Sequence, residues 1–239
     1  MKRIAIIAGG SGLVGTQLLH QLFTQDQYDQ VIAVGRRELT LKHNKLVQIQ
    51  VDFNQIQTVN LEAKLREKNI GGDHHALITA LKAGDFTMHA FCALGTTIKE
   101  AGSKENFYKI DHDFVLSFAR WTSQLGASKF LYVSAIGADP KSSVFYNKVK
   151  GEIERDLKPL SFEYIGIFQP SLLLGNRKET RIGEDVGKVV IKALTFFGIY
   201  KKYKPIYDHQ VAKAMLFHAA KDKKGIETIS SREMRELEL

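Results

Sequence analysis

Three side chains in the second half of the chain could exchange a proton with a bound substrate. The strand-like run 130–133 ends at Ser134, Tyr146 follows twelve residues later, and Lys150 lies four positions further on. Residues four apart lie on the same face of a helix, so the ammonium would lie beside the phenol. A tyrosine has a pKa near ~10, which a neighbouring ammonium lowers. We therefore predict that Tyr146 exchanges the proton, Lys150 stabilises the phenolate and Ser134 hydrogen-bonds the substrate oxygen.

A second tyrosine and lysine, Tyr200 and Lys204, have the same spacing. They lie in a basic stretch that runs into Pro205, where a helix is disfavoured. We therefore favour Tyr146 as the reacting tyrosine. The basic stretch 201–204 is either ordinary surface or a contact for an anionic substrate.

A glycine-rich turn near the start of the chain predicts a dinucleotide site. Gly9, Gly12 and Gly15 follow the apolar run 4–8 and lead into the helical pattern 13–24. The first two glycines let the backbone approach a pyrophosphate, and the third lets the helix pack on the sheet. The N–H groups at the helix start then bind the phosphates. The predicted cofactor-binding residues of this turn are Gly9, Ser11, Gly12, Leu13, Val14 and Gly15. The alternative is that the glycines only close a turn.

The end of the second strand indicates which dinucleotide binds. Arg36 stands 21 residues after Gly15 and is followed by Arg37. Enzymes selective for NAD place an acidic residue in this region, whereas those that use NADP offer arginine to the 2′-phosphate. We predict NADP, bound by both arginines. The alternative is that they are exposed surface residues and that Glu38 pairs with Arg37.

The ends of two further strands supply other cofactor contacts. Asp52 could accept a hydrogen bond from an adenine amino group, with Phe53 packing nearby. The fourth strand ends in Leu94, Gly95 and Thr96, where a glycine lets the chain pass close to a cofactor. Open α/β sheets bind their ligands at these carboxyl ends of strands.

Strand-like and helical patterns alternate along the chain. This alternation predicts a single α/β domain over residues 1–239 with a doubly wound, Rossmann-type parallel sheet, in which 171–205 forms a small substrate-covering portion. Two short helical patterns around 61–68 and 75–81 flank Gly71 and Gly72. The strands are predicted near 3–8, 31–35, 46–52, 88–94, 129–134, 163–168 and 226–229, and the clearest helices at 13–24, 106–125, 144–157, 184–197 and 209–220.

Composition narrows the class of protein. The formal net charge is +8, but the lysines are scattered, so we expect no nucleic-acid partner. No segment approaches ~18 uninterrupted apolar residues, which argues against a membrane span or secretory signal, and we expect a cytoplasmic location. The single cysteine, Cys92, lies in an apolar run and is expected to be buried. His74 and His75 lack ligand spacing, so no metal is predicted. The apolar faces of helices 106–125 and 144–157 suit either sheet packing or a homodimer.

The glycine turn, Ser134 and Tyr146-x-x-x-Lys150 together resemble the short-chain dehydrogenase/reductase family over nearly the whole chain. The glycine spacing is similar to its extended and atypical branches. The runs at 35–37, 93–97, 109–113, 133–139 and 146–152 resemble the small NADP-binding oxidoreductases related to the mammalian Tat-interacting protein. The resemblance also implies cofactor contacts at Tyr146, Lys150 and Pro170. Two residues depart from the pattern. Asp111 stands where many relatives carry asparagine, and Gln169 stands where extended members carry arginine.

These observations favour an NADP-dependent oxidoreductase that transfers hydride to a small carbonyl or enone substrate. Two other functions stay open. One is an NADP-binding regulatory module with a protein partner and little or no catalysis, because folds of this kind serve many functions. The other is a nucleotide-sugar epimerase or dehydratase. The chain is short for such an enzyme, since 171–205 is the only sizeable insertion that could cover a nucleotide sugar.

Overall fold

A parallel β-sheet forms the centre of the structure, a computed structural model that describes residues 1–68, 75–175 and 204–237. The strands in this sheet are β1 (Lys2–Ala8), β2 (Gln30–Gly35), β3 (Leu46–Gln50), β4 (Phe86–Cys92), β5 (Lys129–Val133), β6 (Tyr164–Gln169) and β9 (Gly225–Ser230). Their order is β3-β2-β1-β4-β5-β6-β9, and every neighbouring pair is parallel. Two short strands, β7 (Leu173–Leu174) and β8 (Ile206–Tyr207), pair with each other outside this sheet.

Helices connect the strands. They are α1 (Leu13–Thr24), α2 (Leu61–Lys68), α3 (His75–Ala83), α4 (Ile98–Ala101), α5 (Lys104–Tyr108), α6 (Phe114–Gln124), α7 (Phe145–Leu157), α8 (Asp208–Ala220) and α9 (Ser231–Glu236). A 3₁₀ turn covers Ile56–Thr58, and a π-helical turn, Lys109–Asp113, joins α5 to α6.

The sheet is buried on both faces, which explains why its strands are apolar almost throughout. In β1, Ile4 and Ile6 pack into a core with α6, whereas Ala5 and Ile7 pack into a second core with α1 and α8. All four side chains are fully buried. Both faces of a parallel sheet are covered when helices lie on both sides, so the alternation of polar and apolar residues is lost.

The strand order places the ends of β1, β2 and β4 side by side. Ala8, the last residue of β1, is in register with Val34 on one side and with Cys92 on the other. The strands β2 and β3 lie on one side of β1, whereas β4 and the strands after it lie on the other side, so the strand order reverses between β1 and β4. Sheets of this type bind ligands in the crevice outside such a reversal point.

The predicted α/β class, parallel sheet and strand positions are confirmed. The predicted helix 106–125 is interrupted, because the π-helical turn separates α5 from α6. Turns of this kind insert an extra residue into a helix and are frequent at functional sites. Cys92 is buried as expected, and burial raises its pKa to about 12.

Some predicted features lie outside the described residues. They are the helix 184–197, most of the portion 171–205, Tyr200, the glycines at 71 and 72, and His74.

Candidate active site

The turn after β1 can be built only with glycine at two positions. Gly9 has a φ of +88°, and a Cβ there would lie 2.4 Å from the carbonyl carbon of Ala93. A Cβ on Gly15 would lie 2.1 Å from the carbonyl oxygen of Gly9, a contact that real Cβ atoms do not make. The N–H of Gly12 donates to the same Gly9 oxygen at 2.9 Å, which closes the turn. The glycines therefore bring the turn, the end of β4 and the start of α1 into direct backbone contact.

The N-terminus of α1 is suited to an anion. The N-cap residue is Gly12, which supplies no side-chain cap, and the first turn of the helix contains no acidic residue. The first N–H groups of a helix lack acceptors within the helix, and the helix dipole is positive there. Because Gly9 and Gly12 present no side chain to this turn, its chemistry fits a dinucleotide pyrophosphate.

A cleft of about 850 Å³ opens from this turn along the ends of β1, β2 and β4. The predicted cofactor-binding residues that line it are Gly9, Ser11, Gly12, Arg36, Arg37, Phe53, Leu94, Gly95 and Thr96. Leu13, Val14 and Gly15 form the helix start behind the cleft rather than its wall. Tyr146 and Lys150, for which the resemblance implies cofactor contacts, are not among the residues that line the cleft. The glycine turn, the arginine pair and the end of β4 therefore belong to one site.

The two arginines lie on the cleft as exposed cations. Glu38, the alternative partner for Arg37, forms an ion pair with Lys68 instead. The surface pair that was the alternative to a cofactor role is therefore not formed. Both guanidinium groups are available to an anionic ligand.

Asp52 and Pro170 are placed away from the cleft wall. The exposed Asp52 carboxylate accepts hydrogen bonds from the backbone N–H of Asn54 at 2.9 Å and from its side-chain amide at 2.6 Å, which lower its pKa. Pro170 is buried, and its carbonyl accepts a hydrogen bond from the N–H of Ile136. Phe53 does line the cleft, and its ring stacks on Phe114 at 5.5 Å. Of this group, Phe53 alone contacts the cleft directly.

A buried ion pair lies behind the end of β4. The ammonium of Lys150 is 2.8 Å from Oδ1 of Asp111, and the two side chains are 4% and 1% exposed. Lys150 also donates to the hydroxyl of Tyr132 at 3.1 Å. The other carboxylate oxygen of Asp111 accepts a hydrogen bond from the N–H of Thr96 at 2.8 Å. Burial alone would lower the pKa of Lys150, but Asp111 outweighs it and holds this pKa well above its usual value.

This ion pair is adjacent to the cleft through Gly95. A Cβ on Gly95 would lie 3.4 Å from Oδ1 of Asp111 and 3.8 Å from the ammonium of Lys150. Gly95 and Thr96 both line the cleft. The charged pair therefore lies directly beneath the wall that the end of β4 contributes.

Tyr146 lies in the first turn of α7 and is 36% exposed. Its ring packs against Phe107 with 5.7 Å between centroids. The apolar surroundings raise the pKa of its phenol, Lys150 lowers it and Asp111 raises it, so the pKa lies above its usual value. The helix spacing thus brings Tyr146 and Lys150 together as predicted. The expected net decrease in the pKa does not occur, because burial of the phenol raises the pKa by more than Lys150 lowers it, and Asp111 raises it further.

Ser134 belongs to a neighbouring group of hydrogen bonds. Its hydroxyl donates to the carboxylate of Glu154, and the side-chain amide of Gln169 donates to both oxygens of that carboxylate at 2.9 and 3.1 Å. Burial raises the pKa of Glu154, whereas these hydrogen bonds lower it in part. Within the described residues, no hydrogen bond joins Ser134 to Tyr146 or Lys150. The structure therefore brings together two of the three predicted catalytic residues.

Several residues that the sequence reasoning missed come from the segment that runs from α4 to the start of α6. The cleft is also lined by Glu100, Ala101, Asn106, Lys109, Ile110 and Phe114. Lys109 adds a third cation to the cleft, and its ammonium lies 5.8 Å from the centroid of the Phe114 ring. In the sequence, Lys109 is marked only by its positive charge two positions before Asp111. A single lysine in a helical pattern is typical of an exposed surface, so it did not indicate a binding residue.

Sequence comparison identifies relatives along most of the chain. Residues 5–161 match the family described as "NAD dependent epimerase/dehydratase family". Protein HTATIP2 of Rattus norvegicus is 34% identical over 186 residues, which cover 77% of this chain and 68% of that protein. Protein FMP52, mitochondrial, of Eremothecium gossypii is 29% identical over 238 residues, which cover 98% and 96%.

Solved structures confirm the fold at low sequence identity. MoeE5 in complex with UDP-glucose and NAD has a TM-score of 0.60 and 16% identity, with 95% of this chain and 75% of that chain covered. ElxO with NADP bound has a TM-score of 0.58 and 13% identity, with 98% and 100% covered.

The relatives correct the predicted location. The FMP52 proteins of Eremothecium gossypii, Meyerozyma guilliermondii and Scheffersomyces stipitis are named as mitochondrial, so the prediction of a cytoplasmic location is wrong. That prediction rested on the lack of a long apolar segment, which bears on membrane spans and secretory signals. Mitochondrial address segments are amphipathic and escape that criterion. Among the described residues, no helix is long and apolar enough to cross a membrane.

Proposed function

The chain belongs to the NAD dependent epimerase/dehydratase family, and from this premise we propose that it is an NADP-dependent oxidoreductase that reduces a small carbonyl substrate. The family and fold make it an NAD(P)-dependent enzyme of the Rossmann type. The observation that carries the finer proposal is the buried pair of Lys150 and Asp111, which lies beneath the end of a dinucleotide-type cleft and whose charges act on the phenol of Tyr146.

The residues of the cleft divide the cofactor between them. The glycine turn and the start of α1 would hold the pyrophosphate, because they offer N–H groups without side-chain obstruction. Arg36 and Arg37 would hold the 2′-phosphate that distinguishes NADP from NAD. Lys109 adds positive charge to the same cleft. When bound, the nicotinamide supplies a hydride to the carbonyl carbon of the substrate.

Tyr146 completes the reduction by giving its phenolic proton to the carbonyl oxygen. A proton donor must lie within hydrogen-bond reach of the substrate, and the Tyr146 side chain is 36% exposed while its phenol lies in apolar surroundings. The phenolate then recovers a proton from water before the next turnover. Phe107 fixes the ring from the other side. Ser134 has a secondary part in the proposal, because its hydroxyl reaches a substrate only by leaving Glu154.

A nucleotide-sugar epimerase or dehydratase is the second candidate. Two observations favour it, namely the description of the matching family and the fold shared with MoeE5 in complex with UDP-glucose and NAD. Such an enzyme would bind a uridine or thymidine diphosphate sugar tightly.

The experiment measures NADPH consumption by the purified protein against a panel of aldehydes, ketones and enones, and titrates UDP-glucose by calorimetry. The proposal expects turnover of at least one carbonyl class with NADPH and no heat from UDP-glucose. Tight UDP-glucose binding without NADPH consumption would establish the epimerase class instead. A protein that consumes no NADPH but captures different partners with and without the cofactor would be a regulatory module.

A further inference from the structure

The ion pair between Lys150 and Asp111 reduces the effect of the positive charge that the sequence pattern predicts to act on Tyr146. The two groups are 2.8 Å apart and almost completely shielded from water. At such a distance each charge offsets part of the other's effect on a third group nearby. Asp111 is fixed in this orientation by the N–H of Thr96 and by the π-helical turn that carries it.

The other groups around Lys150 are uncharged or lie in separate hydrogen bonds. Tyr132 on β5 accepts a hydrogen bond from the ammonium, and burial raises the pKa of its phenol. Cys92 on β4 is a buried thiol whose pKa is raised to about 12. Glu154, one turn further along α7, is hydrogen-bonded by Ser134. From α5, the neighbour of Tyr146 is the apolar ring of Phe107.

We propose that Asp111 neutralises the ammonium of Lys150 so that Tyr146 keeps its phenolic proton, which sets the site for proton donation rather than proton abstraction. This inference rests on the proposed function. A lone ammonium beside the phenol would favour the phenolate, the form that removes a proton from an alcohol in the oxidative direction. Burial of the phenol favours the protonated form, and with the ammonium neutralised that form persists to a higher pH. Asp111 is therefore a positioning residue that acts through Lys150.

The first test is the ionisation of Tyr146 in the protein without cofactor. The near-ultraviolet absorbance of tyrosinate is followed against pH in the wild type and in Tyr146→Phe, and the difference isolates one phenol among eight tyrosines. The inference expects that Tyr146 shows no ionisation below about pH 9, since an unperturbed phenol has a pKa near ~10. A midpoint below about pH 9 would overturn it, on the same reference value. This measurement requires no substrate, so it remains decisive if the protein proves not to be a reductase.

The second test removes the carboxylate charge. Asp111→Asn keeps an oxygen for Thr96 and is expected to lower the pKa of Tyr146 by about one unit or more, the effect of an unscreened ammonium. The alkaline limb of carbonyl reduction should move down by the same amount. Asp113→Asn is the matched control, because Asp113 is in the same π-helical turn but is exposed and pairs with His112. Equal pH profiles for Asp111→Asn and the wild type would contradict the inference, provided circular dichroism shows a folded variant.

A double variant covers the case in which the single variant does not fold or loses the lysine proton. Asp111→Asn with Lys150→Met removes both charges together, so the phenol should titrate within about half a unit of the wild type if the pair acts as neutral. A shift larger than about one unit would show that the pair carries a net charge at Tyr146 and would refute the inference.

Discussion

Replacing Arg36 with alanine is expected to remove much of the preference for NADPH over NADH. The side chain is an exposed cation on the cleft, and the nearby Glu38 is already paired with Lys68. A charge-assisted hydrogen bond contributes about 1.5–3 kcal/mol, and solvent exposure places this one near the lower bound. At about 1.5–2 kcal/mol the Kd for NADPH should rise roughly 10- to 30-fold. The affinity for NADH, which lacks the 2′-phosphate, should change less than about threefold on the same scale.

The assay is a fluorescence titration of both nucleotides at two salt concentrations. NADPH binding by the wild type should weaken with salt more steeply than that of Arg36→Ala, because an exposed charge contact is screened. Arg120→Ala is the control, since this exposed arginine lies on α6 and does not line the cleft. The assignment of Arg36 to the 2′-phosphate would be refuted if the variant weakened NADPH and NADH equally, or neither.

Three further substitutions test separate parts of the structure. Gly15→Ala places a Cβ 2.1 Å from the Gly9 carbonyl oxygen, so NADPH binding should be lost and the midpoint of thermal unfolding should fall. An unchanged affinity for NADPH in the titration would contradict the turn geometry. Ser134→Ala should reduce kcat for carbonyl reduction by less than about tenfold, because its hydroxyl is held by Glu154, and a loss of ~100-fold or more would show a direct role. His89 has a folded-state pKa of about 4, against 6.5 when unperturbed. Protonation therefore favours the unfolded state, and stability falls as the pH decreases from 6.5 to about 4. His89→Asn should abolish up to about 3 kcal/mol of this pH dependence in denaturant titrations, and an unchanged dependence would exclude His89 as its source.

The sheet and the glycine turn were predictable because their signals are local. An apolar strand that runs into Gly9, Gly12 and Gly15 allows few backbone paths, and the clashes at Gly9 and Gly15 show why. The arginines after β2 were predictable by their distance along the chain from this turn. Helix spacing also placed Tyr146 beside Lys150.

The charges around Tyr146 were not predictable, because they depend on contacts between distant segments. Asp111 reaches Lys150 from a π-helical turn, and a helical pattern in the sequence does not reveal such a turn. The hydroxyl of Ser134 donates to Glu154, 20 residues further along the chain, and not to Tyr146 or Lys150. Gln169, noted in the sequence as a departure from arginine, proves to be the second partner of Glu154.

The most direct test of the proposed reaction is the rate of NADPH oxidation by Tyr146→Phe on a carbonyl substrate that the wild type reduces. Loss of a general acid typically slows a reaction by 10²- to 10⁴-fold, so kcat should fall by at least ~100-fold. The Kd for NADPH should remain unchanged, because Tyr146 does not line the cleft. Tyr108→Phe serves as the control, since this tyrosine stacks on His112. A Tyr146→Phe enzyme with kcat within about threefold of the wild type would contradict the proposed role of Tyr146 as proton donor.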